Sequence, residues 1–158
     1  MLDPRVVRAD PETVRASQLA RGADPSLVDR LVEIDGQRRA AIGRFEELRA
    51  EQKRLGKQIG PAQGALKGAD DSQRPARQAA VDDLMAAAGT LADQVKQADA
   101  AVAELQGQQD AVALELDNIV DPAAPVGGEE DFVVLTEVGE PRDFAAEGFA
   151  PKDHLAIG

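Results

Sequence analysis

"LVDRLVEIDGQRRAAIGRFEELRAEQKRLGKQI" (residues 27–59) decides the fold. Its apolar spacing alternates four and three without a slip: Leu27, Leu31, Ile34, Arg38, Ala41, Phe45, Leu48, Gln52, Leu55, Ile59. That is a heptad seam with two polar interruptions, the pattern of a helix packed along one narrow stripe. Arg38 and Gln52 sit on the seam, where polar side chains fix register rather than perform chemistry. Gly36, Gly43 and Gly56 lie inside the helix, and each weakens it by about 1 kcal/mol relative to Ala. At ~1.5 Å per residue the helix should extend roughly 50 Å.

The seam breaks at Gly60-Pro61, and "GPAQGALKGADDSQRPA" (60–76) reads as a loop, with room for one helical turn. A second seam follows: Val81, Leu84, Ala88, Leu91, Val95, Ala98, Val102, Leu105, Gln109, Val112, Leu116, Ile119. Two heptad helices, about 26–59 and 76–119, joined by so short a loop must run antiparallel. Upstream, Asp3-Pro4, Asp10-Pro11 and Asp24-Pro25 mark helix starts, because Asp caps an orphan N–H and Pro fits the first helical position. They predict short helices near 4–9 and 11–21, the second stopped by Gly22.

After Ile119, "DPAAPVGGEED" (121–131) is a linker and "FVVLTEV" (132–138) predicts a strand. The rest is irregular. A single strand with loops cannot make a domain, so the last forty residues read as the start of something longer. The expected architecture is all-α: a long antiparallel two-helix coiled-coil hairpin with short N-terminal helices at its base. A linker with one β-strand follows. The expected domains are 1–120 and 121–158.

Composition agrees. Four Phe, no Trp and no Tyr suit a thin seam better than a thick core. The absence of Cys excludes disulfides, thiolate metal sites and cysteine nucleophiles. "MLDPRVVRAD" lacks a signal-peptide core, and no apolar run approaches membrane-spanning length, so the chain reads as soluble and intracellular.

The charge is uneven. The net charge is −11, yet residues 38–57 carry seven of the eighteen Lys and Arg residues. With Leu27 at heptad position d, Arg39 and Lys53 fall at b, Arg54 at c and Lys57 at f, all facing outward. Arg49 at e and Arg44 at g flank the seam. The second helix carries Asp82, Asp83, Asp93, Asp99, Glu104, Asp110, Glu115 and Asp117, of which only Asp99 and Glu115 flank its seam. Internal pairing can therefore absorb only a minority of the basic residues. Residues 49–77 hold seven basic against three acidic residues, a net of +4, which leaves −15 for the remainder. Either a solvated helix face or a phosphate-tracking surface fits this distribution.

The two ends add a family resemblance. "LDPRVVRADPETVRASQLARG" (2–22), the Asn118-Ile119-Val120 step, the Val126-Gly127-Gly128-Glu129 linker and Pro151-Lys152-Asp153-His154 resemble the N-terminal region of bacterial seryl-tRNA synthetases. The resemblance spans essentially the whole chain. It implies that the hairpin is a tRNA-binding arm docking on the long variable arm of serine tRNA. It also implies a cytoplasmic class II homodimer whose catalytic half uses ATP and Mg2+ to attach serine. No catalytic, cofactor or metal residue is expected within these 158 residues, which alone should be monomeric and inactive. His154 reads as structural. The residues expected to contact tRNA are Arg39, Arg44, Arg49, Lys53, Arg54 and Lys57; contacts in 60–77 do not carry over, because the tip departs from the family pattern. A coiled-coil protein-interaction module and a freestanding tRNA-binding paralogue are the competing readings.

Overall fold

The computed structural model describes residues 2–157. The chain divides into two compact units, Met1–Asp121 and Pro122–Gly158. The first contains α1 (Pro4–Ala9), α2 (Pro11–Ala20), α3 (Ser26–Lys67) and α4 (Arg74–Glu115). Asp3 and Asp10 cap α1 and α2 as the Asp-Pro pairs predict, accepting from the backbone N–H of Arg5 and Thr13. Gly22, at φ +72°, closes α2 in the left-handed conformation that a side chain would strain.

α3 and α4 pack along their length as an antiparallel hairpin. Facing groups step along both helices together: Asp35 with Gln109, Leu48 with Leu91 and Val95, Ala65 with Arg77. Every seam residue of both helices is buried or half-buried, and only Ile119, beyond the end of α4, is exposed. The core is correspondingly thin. Leu48, Leu91 and Val95 form its middle. At the base, Val7, Val14 and Val28 join Leu31, Ile34, Val112, Ala113 and Leu116.

Three boundaries differ from the sequence expectation. First, α3 does not stop at Ile59 but runs through Gly60-Pro61 to Lys67. Both residues fall on the outward b and c positions and are exposed, while the four-three seam continues through Ala62 and Leu66 to the buried Ala69. Pro61 costs about 3 kcal/mol of helix, and seam packing against α4 offsets it. Each helix has 42 residues, so the arm extends about 60 Å at ~1.5 Å per residue. The turn is only 68–73. There Asp70 accepts from the backbone of Ser72 and Gln73 and from the Ser72 hydroxyl, and its carboxyl lies below the usual range, chiefly because of the Ser72 bond.

Second, α4 spans 74–115 rather than 76–119. Buried Gln18 donates to the Asp117 carbonyl at 2.9 Å and accepts from the Asp117 N–H at 3.1 Å. Ser17 Oγ accepts from Val120 N–H, and Arg21 donates to the Asn118 carbonyl. Side chains of α2 and its C-cap thus take the backbone groups that a further helical turn would use, and 117–120 leaves the helix.

Third, 132–138 is not a strand. It has no ladder partner among the described residues, and Phe132, Val133, Val134 and Leu135 are exposed. A strand exists only by pairing. The second unit otherwise holds a 3-10 turn at Glu129–Asp131, an Arg142–Glu147 ion pair beside the Phe144–Phe149 contact, and α5 (His154–Ile157). No helix is long and apolar enough to cross a membrane among the described residues.

Candidate nucleic-acid interface

The outward face of α3 carries the predicted residues, and the structure sorts them into a cluster and two outliers. Arg49, Lys53, Arg54 and Lys57 are exposed on two consecutive turns, a run of about 12 Å at ~1.5 Å per residue. Arg49 lies over the Phe45 ring, 5.8 Å from its centroid, which steadies the guanidinium while leaving its edge in water. Lys53, Arg54 and Lys57 have no ion-pair partner among the described residues.

Arg39 is exposed but lies about 21 Å below Lys53, and its Nε donates to Asp35 at 3.0 Å. Arg44 occupies the opposite flank of the helix from Arg49 and faces Glu47 at 3.5 Å. These two are not brought together with the other four.

Internal salt-bridging does not explain the charge. Among the described residues no ion pair joins α3 to α4; the pairs made by α3 run within the helix or to α1 and α2. α4 answers with acid: between residues 82 and 115 it sets seven carboxylates against Lys96. The hairpin is therefore electrostatically two-sided, basic toward the distal half of α3 and acidic along α4. At the tip, Arg77 donates to the Ala65 carbonyl at 2.5 Å and Arg74 to the Ala69 carbonyl at 3.4 Å. Arg77 thus spends a donor on one of the last carbonyls of α3, as basic groups at helix C-termini do, and Arg74 spends one on the turn.

The base holds a polar node that sequence reasoning missed. Asp35 is 4% exposed and accepts from Arg8 at 2.7 Å, Arg39 at 3.0 Å and Gln109 at 3.1 Å. Burial alone would raise its pKa. The hydrogen bonds from Arg8 and Gln109, with the charge of Arg8, outweigh that and hold the carboxyl below its usual range. The signal in the sequence was Gln109, the polar residue of the second seam, which required a polar partner when buried. Beside the node, Arg38 presents a buried Nε with no hydrogen-bond partner.

Known proteins match this sequence along its whole length. The family model described as the seryl-tRNA synthetase N-terminal domain matches residues 1–120. The chain is 47% identical over 158 residues to a serine--tRNA ligase of Nocardioides sp., covering all of this chain and 34% of that protein. It is 48% identical to those of Kocuria rhizophila and Streptomyces coelicolor, again over its full length and 33% and 34% of theirs. It therefore spans about a third of the length of the curated relatives it matches. Among solved structures, seryl-tRNA synthetase from Pyrococcus horikoshii complexed with ATP aligns with a TM-score of 0.69 at 28% identity, covering 83% of this chain and 27% of that one. Capped base helices, heptad hairpin and Asn-Ile-Val exit together place the chain in the seryl-tRNA synthetase N-terminal domain family.

Proposed function

We propose that the hairpin is a tRNA-docking arm, gripping the long variable arm of serine tRNA through the outward face of α3. The observation that carries this reading is the cluster of Lys53, Arg54 and Lys57, exposed and without internal partners, on a chain whose other long helix is acidic. Such a cluster tracks a phosphate backbone, and the carboxylates of α4 disfavour docking by the opposite side. Contacts of this kind orient RNA by shape rather than by base edges. Arg49 adds a fourth contact, while Arg39 and Arg44 play lesser parts because carboxylates already hold them.

The arm would serve a longer cytoplasmic enzyme, a homodimer joining serine to tRNA with ATP and Mg2+. Among the described residues no group of three or more His, Asp or Glu side chains is placed to hold a metal ion. Gly128 N–H already bonds Asp131 within a turn. ATP and Mg2+ would be bound by the rest of such an enzyme, and no catalytic step is assigned to these residues. By itself the chain should be monomeric.

Equilibrium binding to tRNAs with long and short variable arms tests this function. The long-arm tRNA should bind preferentially, with log K falling against log salt at a slope of about −3 to −4 for four phosphate contacts. Equal binding of both classes, or none at low salt, would contradict it and favour a protein-interaction role for the coiled coil.

A further inference from the structure

The base of the hairpin encloses a cleft of about 380 Å³ lined by four arginines, Arg5, Arg8, Arg38 and Arg39, with Asp3, Asp35 and Asp110. The acidic residues are largely committed. Asp3 is taken by Arg5, with contacts of 2.7 and 3.1 Å. Asp35 is shared by Arg8, Arg39 and Gln109. Asp110, at the exposed rim, accepts from Gln106 at 2.7 Å.

The donors are not all committed. Arg38 is half-buried, its Nε is shut off from water, and that N–H has no acceptor. A buried donor left unmade is costly, more so on a charged group. Arg8 uses only Nη1 on Asp35, and Arg39 only Nε, so both retain guanidinium N–H groups. Arg38 belongs to the seam by spacing, where a register role was expected of it. That Nε is closed to a ligand as it is to water, so the terminal Nη groups of Arg38, which lines the cleft beside two partly spent guanidinium groups, are the donors available to an anion there.

We propose that this cleft is an oxyanion site for a group of the phosphate class, with Arg38 as its anchor and Arg8 and Arg39 as its flanks. A tetrahedral phosphate presents its oxygens in three dimensions to three guanidinium groups, whereas the two oxygens of a carboxylate lie in one plane. Charge-assisted bonds from a pre-placed fork are the strong kind. Asp110 at the rim opposes the anion and lowers the affinity for a free ion. The occupant can be a free phosphate or one phosphate of an RNA backbone, since the site reads only the oxyanion.

The test uses the intact chain and inorganic phosphate, with the arginine Nε–H signals followed by NMR at constant ionic strength. Arg38→Gln identifies the Arg38 signal by its loss, and Arg38→Lys does so if the first variant melts early. The wild-type Arg38 signal should shift saturably with phosphate and not with matched chloride. Apparent phosphate affinity should fall about tenfold or more in Arg38→Gln. tRNA binding then separates the sources. A comparable loss of tRNA affinity in Arg38→Gln, with competition by phosphate, assigns a backbone phosphate. Unchanged tRNA affinity beside a phosphate-responsive Arg38 assigns a free anion. A signal indifferent to phosphate, or one that chloride shifts equally, with tRNA affinity unchanged, would overturn the site. The phosphate titration contains no RNA, so its outcome is independent of whether the distal α3 stripe binds tRNA.

Discussion

Reversing Lys53, Arg54 and Lys57 together to Glu is expected to weaken tRNA binding about a thousandfold while leaving the hairpin folded. Each position loses a phosphate contact and gains a repulsive charge. One such contact is worth roughly 1.4 kcal/mol, or tenfold in affinity. All three side chains are exposed on outward heptad positions and hold nothing together within the protein, so helicity and melting should move little. The same substitutions should flatten the salt dependence by about 2 to 3 in slope. A loss of only a few-fold, with the slope preserved, would place the RNA elsewhere on the arm.

The second large effect lies at the root of the arm. Asp35→Ala removes one acceptor from three donors contributed by α1, α3 and α4. Removing one partner from a buried pair costs about 3–5 kcal/mol. Arg8 and Arg39 can turn partly to water, with side chains 39% and 57% exposed, so about 3 kcal/mol is expected at neutral pH, read from urea unfolding. The pH dependence has a definite sign. The Asp35 pKa is lowered in the folded chain, so its stabilisation is complete above the unfolded value of about 3.9. It is lost as pH falls through the lower folded value. The gap between wild type and Asp35→Ala should therefore be constant from about pH 5 upward and narrow below about pH 4. A gap independent of pH would mean that Asp35 acts by packing alone.

The hairpin was legible because a heptad seam demands burial at named positions, and the seam residues from Leu27 to Ile59 and from Val81 to Leu116 are buried or half-buried. What was misread is instructive. Gly60-Pro61 looked like punctuation, but punctuation acts on the backbone, and the seam through Ala62, Leu66 and Ala69 overrode it. The exit of α4 was set by Ser17 and Gln18, a hundred residues away in sequence. No local pattern could announce that. The 132–138 stretch had strand composition and lacked the partner that makes a strand.

The candidate interface divides the same way. Heptad letters placed Lys53, Arg54 and Lys57 outward, and they are exposed there. Letters could not reveal that Asp35, at a flanking position, would be buried by the docking of α1 and would hold Arg39. Nor could they show that Arg38 would reach a cleft instead of simply keeping register.

The most direct measurement is photo-crosslinking from single positions to a tRNA with a long variable arm. A photoreactive side chain at position 53 lies on the basic face of α3, and one at position 93 lies outward on acidic α4. Crosslinks from position 53 should map to the variable arm, and position 93 should give almost none. Equal crosslinking from both faces, or position-53 crosslinks confined to other parts of the tRNA, would contradict the assignment of α3 as the docking surface.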